Sequence, residues 1–283
     1  MTLSILEAVF LAVVQGLTEW LPVSSSGHLA LSYMLIGEEP PLLFTLTLHL
    51  GTLVAVVVAL WDDVLGVLRG LPVALKRLFT FQPPPTPEEN MEARMAYMVT
   101  VGIIPGAIGG FLLKHLAEKS FTQPSTLGAF FIFTGLVLAS THFVDKKTSA
   151  GAGKGRGENI KQTVSLMDAL AMGMAQVLAV FPGVSRSGIT ISAGLHMHMS
   201  RENAARLSFL LSIPLIAGAT VYETVTSPPG NGEITTLVVG GLVASIVGYG
   251  SIKLLFRIVR RGALKYFAPY CLAIGTVLLW LYL

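Results

Sequence analysis

Gln15-Gly-Leu-Thr-Glu-Trp-Leu-Pro-Val-Ser-Ser-Ser-Gly27 is read a second time, in altered form, as Gln176-Val-Leu-Ala-Val-Phe-Pro-Gly-Val-Ser-Arg-Ser-Gly188. Aligned without a gap, Gln15, Leu17, Val23, Ser24, Ser26 and Gly27 meet Gln176, Leu178, Val184, Ser185, Ser187 and Gly188, while Ser25 meets Arg186. A duplication that keeps hydroxyls and glycines but exchanges one hydroxyl for a charge predicts a single ligand pocket built from two copies of one loop. In membrane proteins such duplications place the site between the halves, near the bilayer midplane.

The residues around both copies are apolar. With 53% hydrophobic and 12% charged residues and a mean hydropathy of +0.70, the chain departs from soluble domains, where roughly a quarter of residues are charged. It reads as an all-α polytopic membrane protein. Six segments suit the roughly 20 helical residues needed to cross a hydrocarbon core: Leu42 to Trp61, Met95 to Leu113, Ser125 to Phe143, Asn203 to Tyr222, Thr235 to Phe256 and Leu264 to Leu283. The segment from Ile5 to Val14 has no Lys or Arg before it and no small-residue cleavage site, so it is expected to stay.

Each motif lies within a shorter apolar pair, Ile5 to Leu21 with His28 to Ile36, and Leu166 to Phe181 with Ile189 to Met197. Pro22 and Gly27 interrupt the first pair; Pro182, Gly183 and Gly188 interrupt the second. Broken pairs fit re-entrant hairpins, because non-helical backbone at membrane depth is tolerated only inside protein or along a wet cavity. A single kinked spanning helix is the alternative for each.

With two hairpins and six spans, one face receives Arg69, Lys76, Arg77, Arg94, the basic residues from Lys146 to Lys161, Arg201, Arg206 and those from Lys253 to Lys265. The other receives Lys114 and Lys119. The positive-inside rule makes the first face cytoplasmic and sets both termini outside. Each half, one hairpin and three spans, then runs opposite to the other, an inverted-topology repeat. The whole of 1–283 is expected to form one integral membrane domain, with halves of about 1–145 and 165–283 and a linker, about 146–164, rich in glycine and basic residues. The run from Phe81 to Glu92, with Pro83, Pro84, Pro85 and Pro87, reads as a connector.

Basic residues beside apolar spans are explained by lipid head groups and topology, so no nucleic-acid partner is expected. Cys271 is the only cysteine, which excludes an internal disulfide and a cysteine metal cage. It reads as lipid-facing or packed filler.

Glu19 is the sharpest polar signal, since an acid at the centre of a membrane helix costs about 2.5–3.5 kcal/mol. Gln15 precedes it by one turn and shares its helix face, so the two could hold a divalent cation or orient a water. A position at the interface, meeting water, is the plainer account. Ser24, Ser25, Ser26 and Gly27 precede the next apolar helix, where hydroxyls cap free backbone N–H groups and an anion is readily bound. His28 follows and could relay protons to a neighbouring hydroxyl. His49, on an apolar span without polar company, reads as structural; His115, His142, His196 and His198 read as interfacial. In the second copy Arg186, between Ser185 and Ser187 and followed by Thr190, offers a planar fork for phosphate oxygens. One copy supplies acid, histidine and hydroxyls, the other a cation and further hydroxyls, which together describe a phosphate-ester site facing a membrane.

The stretch from Gln15 to His28, with Pro182 to Ser192 and the later Ser208-Phe209-Leu210-Leu211-Ser212-Ile213-Pro214, resembles the signatures of the bacterial undecaprenyl-diphosphatase family, also called bacitracin-resistance proteins. The resemblance covers nearly the whole chain. It implies removal of the terminal phosphate of undecaprenyl diphosphate, a prenyl diphosphate lipid, in the bacterial cell membrane, with the monophosphate returned to cell-wall synthesis. It also implies dependence on a divalent cation, Mg or Ca. Carried over by position, Glu19 is the essential acid, Ser25 and His28 are candidates for the catalytic pair, and Ser185, Arg186 and Thr190 contact the diphosphate. Many members have glutamate where this chain has Gln15, which puts a two-carboxylate metal site in doubt.

Two routes stay open, attack by Ser25 with His28 or Glu19 taking its proton, and attack by an activated water. A transporter or flippase for an anionic lipid or solute is the rival from another class, because broken helices in inverted repeats are typical of carriers. A purely structural subunit leaves Glu19, His28 and Arg186 without a purpose. Membrane lipids are expected partners, and a homodimer is left open.

Overall fold

A computed structural model describes residues 3–37, 42–121, 123–152, 161, 163–226 and 233–283, and every regular element among them is a helix. Helix α1 (Ile5–Trp20) starts on a reciprocal cap: Ser4 Oγ accepts from the Glu7 N–H and the Glu7 carboxylate accepts from the Ser4 N–H. It stops before Pro22, and α2 (Ser25–Ile36) turns back from the Ser24 cap and ends on left-handed Gly37. Helix α3 (Leu42–Ala59) is the first expected span.

Helix α4 (Trp61–Phe79) is not among the expected spans. Asp62, Asp63, Arg69, Lys76 and Arg77 break up its apolar pattern, and Pro72 lies within it, so it reads as a basic loop. Its buried residues are Gly70 and Ala74, one turn apart, on the face against α5 (Pro87–Phe121). Asn90 interrupts α5 with extended backbone and caps the longer part through Oδ1, which accepts from the Ala93 N–H at 2.8 Å. Part of the expected connector from Phe81 to Glu92 is therefore helical. Helix α6 (Pro124–Ala152) follows.

The second half opens as the first did. Ser165 and Asp168 cap α7 (Leu166–Val177) reciprocally, a 3₁₀ turn (Leu178–Val180) extends it, and α8 (Arg186–His196) starts from the Ser185 cap. Helices α9 (Arg201–Thr226), α10 (Ile234–Arg260) and α11 (Ala268–Tyr282) complete the chain. Among the described residues six helices are long and apolar enough to span a membrane: α3, α5, α6, α9, α10, and α11 with its preceding 3₁₀ turn. They correspond one for one with the expected spans. Several run further, because helical backbone continues past the apolar window into charged flanks. The linker residues 153–160 and 162 lie outside the described residues.

Helices from the earlier and later parts of the chain pack on one another. Helix α1 lies on α10 and α7 on α5; α3 packs against α10 and α9 against α5; α6 and α11 pair with each other. The largest core gathers around Trp20, Met98, Met172, Leu207 and Phe209. Cys271 is fully buried, with Sγ toward the Pro22 carbonyl at 3.7 Å, so it is packed rather than lipid-facing.

Candidate active site

The duplicated turns meet. The Gly183 N–H donates to Ser24 Oγ at 3.1 Å, and Ser187 Oγ donates to the Leu21 carbonyl at 3.3 Å. Close approach requires glycine twice. A Cβ on Gly27 would come within 2.6 Å of the Phe131 ring, and Gly183 has a φ of +94° and abuts the Leu127 carbonyl. Ser24 itself sits at φ +69°, which costs a residue with a side chain about 1–3 kcal/mol. Its hydroxyl offsets that cost by accepting from both the Gly27 and Gly183 N–H groups. On the other turn Thr134 of α6 clasps the backbone, donating to the Gly183 carbonyl and accepting from the Ser185 N–H.

Glu19 is the hub. Its Oε2 accepts from Ser25 Oγ at 2.6 Å and from Gln15 Nε2 at 3.0 Å, and its Oε1 accepts from Arg186 Nη2 at 2.9 Å. The pair is buried, with the side chains 6% and 14% exposed. A buried ion pair repays its desolvation only when further hydrogen bonds satisfy it, and Ser25 and Gln15 provide those here. Arg186 also lies over the Trp20 ring, 5.2 Å from its centroid, and Trp20 rests edge-on against Phe209.

Three atoms at this hub are buried and unpartnered, Arg186 Nη1, Gln15 Oε1 and Trp20 Nε1. An unsatisfied buried polar group costs about 1–3 kcal/mol, so each has hydrogen-bonding capacity that the protein leaves unused. Arg186 Nη1 and Trp20 Nε1 are donors, the first suited to an anion; Gln15 Oε1 is an oxygen suited to a cation or water. In the second copy Val180 stands where the first has Glu19, and the Gln176 amide, lacking that carboxylate, is buried without a partner.

His28 is held elsewhere. Its Nδ1 meets the Ser24 carbonyl at 2.7 Å and its Nε2 meets the Tyr270 hydroxyl at 2.7 Å, with the two rings stacked. A carbonyl can only accept, so Nδ1 carries the proton and the neutral ring accepts from Tyr270 through Nε2. Both nitrogens are thus occupied away from Ser25. Thr190 is also engaged within the protein, donating to the Arg186 carbonyl at 2.7 Å and sharing a bond with Ser208 Oγ at 2.6 Å. Ser26 pairs with Ser24, and Ser185 with Ser187, so these hydroxyls shape the turns.

Trp20, Thr134 and Tyr270 have no functional signal in the sequence, and His49 reads there as structural. His49, on α3, is within electrostatic reach of the Glu19 carboxylate, and its Nδ1 is anchored on the Thr45 carbonyl. Among the described residues no three His, Cys, Asp or Glu side chains converge as a metal cage.

A family model for bacitracin resistance protein BacA matches residues 8–277. Proteins named undecaprenyl-diphosphatase are similar over nearly their whole length: that of Desulfosudis oleivorans is 40% identical, with 98% of each chain covered. Those of Desulfatibacillum aliphaticivorans and Methanosphaera stadtmanae are 40% and 38% identical, with 97% of each chain covered. With the family model spanning both turns that build the Glu19–Arg186 hub, this chain belongs to the BacA bacitracin-resistance family.

Proposed function

We propose that the chain is a membrane-embedded phosphatase that hydrolyses undecaprenyl diphosphate to undecaprenyl phosphate and inorganic phosphate, returning the lipid carrier to cell-wall synthesis. The observation that carries this reading is the Glu19 carboxylate, which holds a hydroxyl and a guanidinium from two separate turns while Arg186 Nη1 stays unpartnered. An activated hydroxyl, a proton acceptor and a fork for phosphate oxygens are what phosphoryl transfer to a serine requires.

Diphosphate binding would engage Arg186 Nη1 and compete with Glu19 for the rest of the guanidinium, leaving Ser25 as a remaining donor to the carboxylate. Ser25 Oγ attacks the terminal phosphorus while its proton passes to Glu19. The bond to the bridging oxygen breaks, and its electron pair departs with undecaprenyl phosphate, which takes the proton from Glu19. The restored carboxylate then deprotonates a water that attacks the phosphoserine, and the proton returns to Ser25 Oγ as phosphate leaves. His28, braced by Tyr270, positions the turn that carries Ser24, Ser25 and Ser26. Direct attack by a water held at Glu19 is the other route.

A divalent cation, Mg or Ca, fits these residues, because Gln15 Oε1 is a buried unpartnered oxygen beside a carboxylate. Gln15 and Glu19 would hold it with phosphate and water oxygens, and when bound it offsets diphosphate charge.

The exchanged packing of α1 on α10 and α7 on α5 supports reading the helix–turn–helix pairs as re-entrant and the halves as an inverted repeat. The basic helix ends then face the cytoplasm, both termini lie outside, and the site opens outward from the bacterial cell membrane. The prenyl tail stays in lipid between helices.

The test is phosphate release from undecaprenyl diphosphate by detergent-purified protein. Release by the wild type, abolished in Glu19→Gln, is expected. A carrier would bind the lipid and release nothing, and that result would defeat the proposal.

A further inference from the structure

A cleft of about 600 Å³ lies at the basic end of the molecule, between the α3–α4 junction, α9 and the end of α10. Arg206 and four cations from the end of α10 line it, against Asp62 and Asp63. Arg206 is committed to Asp63 and Glu202, and Arg260 to Glu202. Lys253, Arg257 and Arg261 form no ion pair among the described residues. They succeed one another at four-residue spacing, so they stack on one face of the end of α10. Like charges at that spacing repel. The helix C-terminus favours cations there, but it does not explain why they face a concave wall of Trp61 and Phe256.

The cleft also borders an exposed apolar surface. Leu50, Val54 and Val58 form an exposed ridge one turn apart along α3, leading to Trp61, itself half exposed. A tryptophan of this kind suits the headgroup level of a bilayer. Three cations without an ion-pair partner among the described residues, Lys253 lying over the Tyr249 ring at 4.4 Å, stand at the foot of an apolar ridge and match a molecule with a phosphate at one end and an acyl chain along the other.

We propose that this cleft binds the phosphate of an anionic membrane lipid, with Lys253, Arg257 and Arg261 on the phosphate and the acyl chain along the α3 ridge. Its volume is that of ordinary small-ligand sites, and basic pockets between membrane helices suit such head groups. The site is separate from the Glu19–Arg186 hub and does not depend on the reaction assigned there.

The experiment is native mass spectrometry of the full chain in neutral detergent, titrated with phosphatidylglycerol, with phosphatidylcholine of the same chains, and with inorganic phosphate. Phosphatidylglycerol should bind at least about tenfold more tightly than phosphatidylcholine, and the combined Lys253→Gln, Arg257→Gln, Arg261→Gln variant should lose that preference. Arg257→Lys with Arg261→Lys should keep it. Equal binding of the two lipids, or an unchanged preference in the glutamine variant, would overturn the proposal. Displacement of phosphatidylglycerol by millimolar phosphate would make this a free-phosphate site and overturn the lipid assignment. The wild-type arms need no substitution, so a glutamine variant that fails to fold leaves the test standing.

Discussion

Arg186 Nη2 lies 2.9 Å from Glu19 Oε1, although the two residues are 167 positions apart in the chain. That contact joins the duplicated turns into one site. Because the pair is buried, removing one partner strands the other, at a cost of about 3–5 kcal/mol. Arg186→Ala should therefore lose turnover and melt at a lower temperature than the wild type. Glu19→Gln combined with Arg186→Ala should melt above Arg186→Ala alone, since no charge is left buried. Arg186→Lys keeps charge but loses the fork, and its activity should fall strongly. Thermal melts and phosphate release on these proteins and on Glu19→Gln alone check this, and additive destabilisation in the double variant would mean the two side chains are not coupled.

Much of this hub was legible beforehand, because Gln15, Glu19, Ser25 and Arg186 lie in a local motif and its copy, where spacing and residue type speak directly. The spans were legible from unbroken apolar runs. Helix α4 was not, since its charges disguise a one-sided surface whose buried stripe is only Gly70 and Ala74. Tyr270, Thr134 and His49 come from α11, α6 and α3, and they reach the turns only through tertiary packing. No spacing within the motifs points to them. The resemblance implies Thr190 as a diphosphate contact, and in the structure its hydroxyl donates to the carbonyl one turn back, as helical threonines readily do, and shares a bond with Ser208.

The bond between His28 Nε2 and the Tyr270 hydroxyl leads to a second prediction. Tyr270→Phe keeps the stacked ring but frees the imidazole nitrogen. Activity should drop by less than about tenfold, roughly the loss of one hydrogen bond. If Glu19 takes the proton, His28→Gln should retain measurable turnover with the acidic limb of its pH–rate profile in place. Disappearance of that limb in His28→Gln would return the base role to histidine.

Orientation can be tested by cysteine labelling on a Cys271→Ser background. Cysteines at Glu38 and Gly230 should react with an impermeant reagent applied from outside, and those at Lys154 and Arg260 should not. Glu38, Lys154 and Gly230 lie outside the described residues. Arg260 belongs to the end of the molecule where Glu202 joins it to Arg206 and Asp63. The reverse labelling pattern would invert the proposed topology.

Gln15 Nε2 now donates to Glu19 Oε2, so Gln15→Glu would replace a donor with a second carboxylate. Two carboxylates at that distance need a cation or a proton between them. The variant should keep activity with Mg or Ca present and show steeper metal dependence than the wild type, because added charge strengthens hard-oxygen ligation. An unchanged metal titration would remove Gln15 from the ion's surroundings.

The 2.6 Å bond from Ser25 Oγ to Glu19 Oε2 separates the two chemical routes. Ser25→Ala removes the proposed nucleophile but leaves the Ser24 cap, Ser26 and Arg186, so turnover should collapse while substrate affinity changes by less than about tenfold, roughly 1.4 kcal/mol. Rapid quenching of the wild type with substrate labelled on the terminal phosphate should trap label on the protein at Ser25. If Glu19 is the proton acceptor for that attack, Glu19→Gln should bind substrate and trap no label within the same quench. Unlabelled wild-type protein, together with an alanine variant that keeps a substantial fraction of its rate, would reduce Ser25 to a binding group. Water activated at Glu19 would then be the nucleophile, with the same carboxylate still at the centre of the site.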